Sequence, residues 1–342
     1  VGKAIGGTES SVVAESDYLL DIQDLDVSFE LRQGLARALR GVDIRLRPGE
    51  AHALVGESGS GKTITSMCIL GLLATPPGRV NRGKVIFQNR DLLQLSENER
   101  RKVRGKDIGM IFQEPGKYLN PAYKIGEQIT ETLILHFQMG KKAAIQKALE
   151  LLNLVGLGKN RRVLNSYPHE LSGGMKQRAM IAMAIACRPA LLIADEPTTA
   201  LDVTLQLQIL RLLLKLRAKF GMGILFISHD LGVVKEIADR ISVIYAGKII
   251  ESATKQQLFD DPLHPYTQLL LLSIPDAAKR GERLRAIPGT VPDAERIPSG
   301  CSFHPRCPLA EDACRVGIPP DIDYGDGHQA ACFLIGKKWL HS

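Results

Sequence analysis

The sequence is poor in aromatic residues, which make up 5% of its 342 positions and include a single Trp. Few flat rings means few platforms on which the bases of a single strand could stack. A formal charge of +7 could by itself favour nucleic acid, acidic lipid headgroups or nucleotide phosphates. The densest basic run, Arg100–Lys106, has no interleaved aromatic residue, so no nucleic-acid partner is expected. Long apolar runs are also missing: the longest candidates, Met67–Ala74 and Leu269–Leu272, fall short of the ~18 residues read as a membrane-spanning helix. Residues Val1–Ser16 are small and polar with no apolar stretch. No secretory signal is therefore expected, and the protein is placed in the cytoplasm.

Cysteine is scarce and unevenly placed. Of six, Cys68 and Cys187 stand among apolar neighbours, where a buried structural thiol is expected. The other four follow a C-x5-C-x6-C-x17-C pattern at Cys301, Cys307, Cys314 and Cys332. That stretch is punctuated by Pro275, Pro288, Pro292, Pro298, Pro305, Pro308, Pro319 and Pro320, with few periodic apolar residues to make a core, so it needs a staple. In a reducing compartment clustered thiols suggest a metal before a disulfide. The gaps exceed the roughly two to four residues typical within zinc-ligand pairs, which leaves zinc, another metal group or unligated thiols open. His304 and His328 lie close by in sequence and are read as structural.

What is present is a chain with 44% hydrophobic residues, enough for one large α/β domain with an appendage. Strands are predicted over Asp17–Phe29, Gly41–Leu46, Ala51–Val55, Lys84–Phe87 and Ile108–Phe112, with a helix over Lys62–Leu73. From Ile125 to about Leu157 the period becomes helical, carried by Ile125, Ile129, Leu133, Ala143, Ile145, Ala148, Leu151 and Leu152. Apolar strands Leu191–Ala194, Ile224–Ile227 and Ile241–Tyr245 then alternate with helices Thr204–Phe220 and Leu231–Ala238. This alternation predicts a largely parallel sheet.

Two motifs carry chemistry. Gly56-Glu57-Ser58-Gly59-Ser60-Gly61-Lys62-Thr63 joins an apolar strand to a helix, the pattern of a phosphate-binding loop. Its glycines let backbone amides approach β- and γ-phosphates, Lys62 is suited to the same oxygens, and Thr63 to magnesium. Downstream, Leu191–Ala194 delivers Asp195 and Glu196 at a strand end, where ligands of such sheets bind. Asp195 suits magnesium, and Glu196 suits a general base acting on the attacking water.

With Leu171-Ser172-Gly173-Gly174-Met175-Lys176-Gln177-Arg178 added to these, the chain from about Leu19 to Ser273 resembles the ATP-binding-cassette ATPases. The resemblance implies an α/β fold: a P-loop cassette over 17–273 with a RecA-like core, an antiparallel β subdomain and a helical subdomain at about 114–180, followed by a small Cys/Pro-rich domain over 274–342. It implies that Gln113 contacts magnesium or the lytic water, that His229 is the switch histidine, and that Thr199-Ala200-Leu201-Asp202 is the D-loop. It also implies that Phe29 stacks on adenine. Ser172, Gly173 and Gly174 would close over the γ-phosphate bound by a second chain, so that ATP joins two subunits and hydrolysis releases them. Met175 stands where the family most often has Gln.

His264-Pro265-Tyr266-Thr267, Ile287-Pro288-Gly289 and Gly300–Pro308 resemble the C-terminal extension of ATPases serving dipeptide and oligopeptide importers. Relatives of that type imply a [4Fe-4S] cluster on Cys301, Cys307, Cys314 and Cys332, a different ATPase chain as partner, two transmembrane permease subunits and an extracytoplasmic solute-binding protein. They also imply a peripheral place at the cytoplasmic face of the cell membrane, with the segment Glu114–Tyr123 meeting the permease. Nickel and oligosaccharide importers share the extension. A DNA-repair or chromosome-organising ATPase is disfavoured, because Lys62 and Ser172 stand only 110 positions apart with no long heptad array between them.

Overall fold

The computed structural model describes residues 17–32, 34–159, 161–199, 201–274 and 287–335. Ala200 of the expected D-loop and residues 275–286 and 336–342 of the expected C-terminal domain lie outside them. Two sheets organise the fold. The smaller is antiparallel, in the order β2 (Gly34–Leu46), β1 (Leu20–Leu31), β4 (Gly78–Phe87), β5 (Arg90–Asp91). Strand β2 begins at Gly34 rather than the predicted Gly41 and pairs Leu31 with Gly34 in a hairpin. Its first half escaped the apolar pattern because the register skips Ala38 between Leu39 and Arg37, so that buried Ala36 and Leu39 stand three positions apart instead of two.

The larger sheet runs β11 (Ile322–Asp323), β12 (Gln329–Ala330), β10 (Lys248–Thr254), β9 (Arg240–Tyr245), β3 (Ala51–Val55), β8 (Gly223–Ser228), β7 (Leu191–Asp195), β6 (Ile108–Ile111). From β9 to β6 all pairings are parallel, and β3 sits between β9 and β8. Such a sheet is covered on both faces, so its strands read as continuous apolar runs; every residue of β3, β7 and β8 is buried. Strand β12 pairs Ala330 with Glu251 of β10. The tail thus extends the cassette's own sheet across the composition boundary at 273/274.

Helix α1 (Lys62–Leu70) leaves the end of β3 and stops before the predicted Leu73, because Gly71 takes a left-handed cap with φ +60°. α2 (Glu97–Val103) carries the basic run. Two of its charges are spent internally: Arg104 donates to the Leu70 and Gly71 carbonyls and pairs with Glu97, and Arg100 donates to the Leu92 and Leu93 carbonyls, while Arg101, Lys102 and Lys106 are exposed.

The helical layer comprises α3 (Pro115–Tyr118), α4 (Ile125–Phe137), α5 (Lys141–Leu154), α6 (Arg161–Asn165) and α7 (Gly173–Ala184). Ile125, Ile129 and Leu133 of α4 are buried with Ala148, Leu151 and Leu152 of α5 in one core. Ala144, and not the predicted Ala143, takes the inner face, since Ala143 is exposed. Helices α8 (Val203–Phe220), α9 (Leu231–Ile237), α10 (Lys255–Asp260) and α11 (Pro265–Leu272) complete the cassette, and α12 (Asp312–Val316) lies in the tail.

Candidate active site

The predicted chemistry gathers at the carboxyl ends of four adjacent parallel strands. The phosphate loop follows β3, Gln113 follows β6, Glu196 follows β7 and His229 follows β8. This is where open α/β sheets bind ligands. A cleft of about 500 Å³ opens there, lined by Glu57, Ser58, Gln113, Glu196, Thr199 and His229 together with Leu270, Ser273 and Ile287.

Space and backbone conformation both demand glycine in the loop. A Cβ on Gly56 would lie 2.2 Å from the Ile244 carbonyl oxygen, while Gly59 and Gly61 have φ of +81° and +108°. Gly61 caps α1 without any side-chain hydrogen bond, so the first amides of the helix face the loop as donors for an anion. Lys62 is buried, and its Nζ donates to the Gly56 carbonyl at 2.7 Å and the Glu57 carbonyl at 2.9 Å. Burial holds its pKa below the usual lysine range, against the pull of Glu196, Asp195 and Glu57.

Asp195 is 3% exposed, and burial pushes its carboxyl up to about 6, opposed by a hydrogen bond from the Thr63 hydroxyl. Its Oδ1 is buried with no hydrogen-bond partner. An orphaned carboxylate oxygen beside a threonine hydroxyl is a hard-oxygen pair, and it fits magnesium.

Glu196 has φ +45°, a strained conformation for a non-glycine residue of the kind that gathers at active sites. Three side chains hold its carboxylate: Gln113 Nε2 donates to Oε2 at 2.7 Å, Thr199 Oγ1 donates to the same oxygen at 3.0 Å, and His229 Nδ1 lies 3.0 Å from Oε1. The His229 hydrogen bond, ahead of other causes, keeps Glu196 below the usual glutamate range and raises the histidine above its own. Asp230 caps α9 by accepting from the Gly232 and Val233 amides. That leaves His229 turned to Glu196.

The signature lies elsewhere. Ser172 caps α7 by accepting from the Met175 amide at 3.4 Å, Gly173 has open space around it, and none of Ser172, Gly173 and Gly174 lines the cleft. Asp202 caps α8 through the Leu205 amide at 2.9 Å and does not line the cleft either. Phe29 is half-buried in β1, packed beside Gly78 and the apolar core under the antiparallel sheet, and is not brought to the cleft.

The chain is 49% identical over 320 residues to the oligopeptide transport ATP-binding protein AppD of Bacillus subtilis (strain 168), covering 94% of this chain and 98% of that one. The chain belongs to the ABC transporter ATP-binding subunits. Residues 39–199 match the ABC transporter family and residues 250–314 the oligopeptide/dipeptide transporter C-terminal region. The cassette is also 46% identical over 326 residues to the dipeptide transport ATP-binding protein DppD of the same organism, covering 95% and 97% of the two chains. Among solved structures it is similar to the dimeric ATP-binding cassette MJ0796 in a post-hydrolysis state bound to ADP and Pi. The TM-score is 0.62 at 28% identity, over 69% of this chain and 98% of that chain. As a member of this family the cassette is an ATP-hydrolysing subunit.

The four clustered cysteines of the tail do meet. Cys301, Cys307, Cys314 and Cys332 line one small cavity with His264, Phe303 and His304. Yet among the described residues no group of three or more His, Cys, Asp or Glu side chains is arranged to hold a metal ion. The space is only about 10 Å³, no more than one water fills. Burial pushes Cys301 up, Cys307 up to about 11 and Cys332 up to about 12, so the unligated thiols are neutral. This arrangement brings four thiols together and does not by itself show a cluster. His328 is structural: its Nε2 lies 2.8 Å from Oε1 of buried Glu251.

Proposed function

We propose that this cassette is the motor of an importer for dipeptides and oligopeptides, hydrolysing ATP to drive uptake through separate transmembrane permease subunits. The observation that carries this reading is the near full-length similarity to AppD and DppD together with the matching C-terminal region. Delivery of peptide by an extracytoplasmic solute-binding protein, and pairing with a different ATPase chain, belong to the same proposal. So does a peripheral place at the cytoplasmic face of the membrane. Among the described residues no helix is long and apolar enough to cross one.

In this reading the amides after Gly56 and at the start of α1 take the β- and γ-phosphates, and Lys62 leaves its two loop carbonyls for their oxygens. Thr63, Asp195 and Gln113 hold magnesium, which when bound offsets negative charge on the phosphate oxygens. Glu196 takes a proton from the attacking water. A carboxylate held by His229 is a weaker base than a free one, so binding must turn His229 toward the γ-phosphate before Glu196 can act. Ser172, Gly173 and Gly174 face a partner's nucleotide, which is consistent with their absence from the lining of this chain's cleft and with the exposure of Ser172 and Gly173. Phe29 reaches adenine and Asp202 the facing subunit only in that closed pair.

The exposed turn Glu114–Tyr123, with Tyr118 and Tyr123 about half exposed, is where the permease docks. Solubilised native membranes test the assignment: capture of the tagged chain should bring down two permeases and a second cassette subunit. Recovery of a DNA-repair complex, or of sugar- or metal-transport permeases, would overturn it.

For the four-cysteine cavity a [4Fe-4S] cluster is proposed on the donor set alone, since four thiolates suit it. Loading would require the cavity to widen. Anaerobically purified protein should carry about four irons per chain; colourless protein, with or without zinc, contradicts it.

A further inference from the structure

The phosphate loop contains one acid, Glu57, in a site whose ligand is itself strongly negative. A carboxylate there repels the triphosphate unless something neutralises it. The neutralising group comes from the far end of the chain. Arg306 grips Glu57 with both fork nitrogens, Nη1 to Oε1 at 2.9 Å and Nη2 to Oε2 at 3.0 Å, the bidentate geometry that is strongest for such pairs.

The arginine is itself fixed. It is 8% exposed, its Nε donates to the Pro288 carbonyl, Nη2 also to the Gly289 carbonyl and Nη1 also to the Tyr245 hydroxyl. All five of its N–H donors are thereby matched. The same part of the loop is held a second time, because the Glu57 amide donates to the Tyr266 hydroxyl at 3.1 Å. Tyr245, Tyr266 and Phe303 pack edge to face around this point.

We infer that Arg306 is a positioning residue for ATP binding: by neutralising Glu57 and drawing its carboxylate away from the phosphates, the C-terminal extension sets the affinity of the loop. This rests on the reading of the loop as the ATP site. The extension therefore acts on the nucleotide through a residue that never touches it.

The test is Mg-ATP affinity of the full-length chain at low and at physiological ionic strength. Arg306→Met should weaken binding about tenfold, equivalent to about 1.4 kcal/mol. The loss should shrink as salt screens the freed carboxylate, and Arg306→Lys should recover part of it. Adding Glu57→Gln to Arg306→Met should restore most of the affinity, because the repelling charge is gone. Glu57→Gln alone should bind ATP more tightly at low salt, since Arg306 is left unneutralised. A purely structural staple predicts the reverse: the double variant would stay as weak as Arg306→Met, and Glu57→Gln would itself lose affinity. Either result, or unchanged affinity in Arg306→Met, overturns the inference. If Arg306→Met does not fold, the single Glu57→Gln measurement decides alone. Lys62→Ala in the same assay separates the two readings: should it bind like the parent chain, the placement of ATP is at fault and not the role of Arg306.

Discussion

Glu196 and His229 face each other at 3.0 Å across the ends of two neighbouring strands. The carboxylate that would activate water is thereby held by the residue that would sense the γ-phosphate. Glu196→Gln keeps the shape of this contact and removes the basic oxygen. We expect ATP binding to persist and turnover to fall by about 10²–10⁴, measured as phosphate release with bound nucleotide assayed in parallel. Undiminished turnover would remove Glu196 as the base.

Thr199 shares the oxygen that accepts from Gln113. Thr199→Val removes one hydrogen bond, worth about 1 kcal/mol, while keeping the shape of the side chain. The expected outcome is a several-fold loss of kcat with the KM for ATP little changed. A rise in KM alone would mean that the hydroxyl serves binding.

Two glycines of the loop should fail for different reasons. Gly56→Ala places a methyl 2.2 Å from a backbone oxygen of β9, so it should deform the loop and lower stability by about 1–3 kcal/mol, as overpacking does. Gly59→Ala meets no atom within 4 Å but must hold φ at +81°, at a cost of about 1–2 kcal/mol. Thermal unfolding and ATP titration of both variants check this. Normal ATP affinity in Gly56→Ala would contradict the packing seen here.

Buried histidines should make the fold acid-sensitive. His52 lies between the Arg45 carbonyl and the Ser242 hydroxyl, and burial, aided by Arg240, lowers its pKa to about 4. The unfolded chain therefore binds a proton from about pH 6.5 downward that the native chain refuses until about pH 4. Stability is intact above pH 6.5 and falls as the pH drops through that window, by roughly 3 kcal/mol for this residue at about 1.4 kcal/mol per pKa unit. Denaturant midpoints at pH 7.5, 6 and 5 should decline in step, with a shallower slope in His52→Gln. An equal slope would assign the effect to other groups, beginning with buried His264, whose pKa is likewise lowered to about 4.

Much of the cassette was legible because its site residues terminate apolar runs. Gln113, Asp195, Glu196 and His229 each end a buried strand, and parallel pairing brings those ends together. Whether His229 was a helix cap could not be read locally; the neighbouring Asp230 takes that role. Other features have no local pattern. Arg306 and Glu57 are 249 positions apart, and strands β11 and β12 are two residues each, too short to show alternation. Thr199 was visible within the D-loop motif, but its bond to Glu196 depends on how the chain turns after β7. Cysteine spacing reported that four thiols would meet, and not how closely.

Peptide uptake in cells that depend on this chain tests the central claim most directly. Accumulation of a labelled oligopeptide, and of a dipeptide, should be restored by the parent sequence and abolished by Glu196→Gln, with the variant chain still binding ATP and still joined to its permeases. Uptake that continues at the parent rate with Glu196→Gln as the sole copy would contradict the account of this cassette as the motor of peptide import.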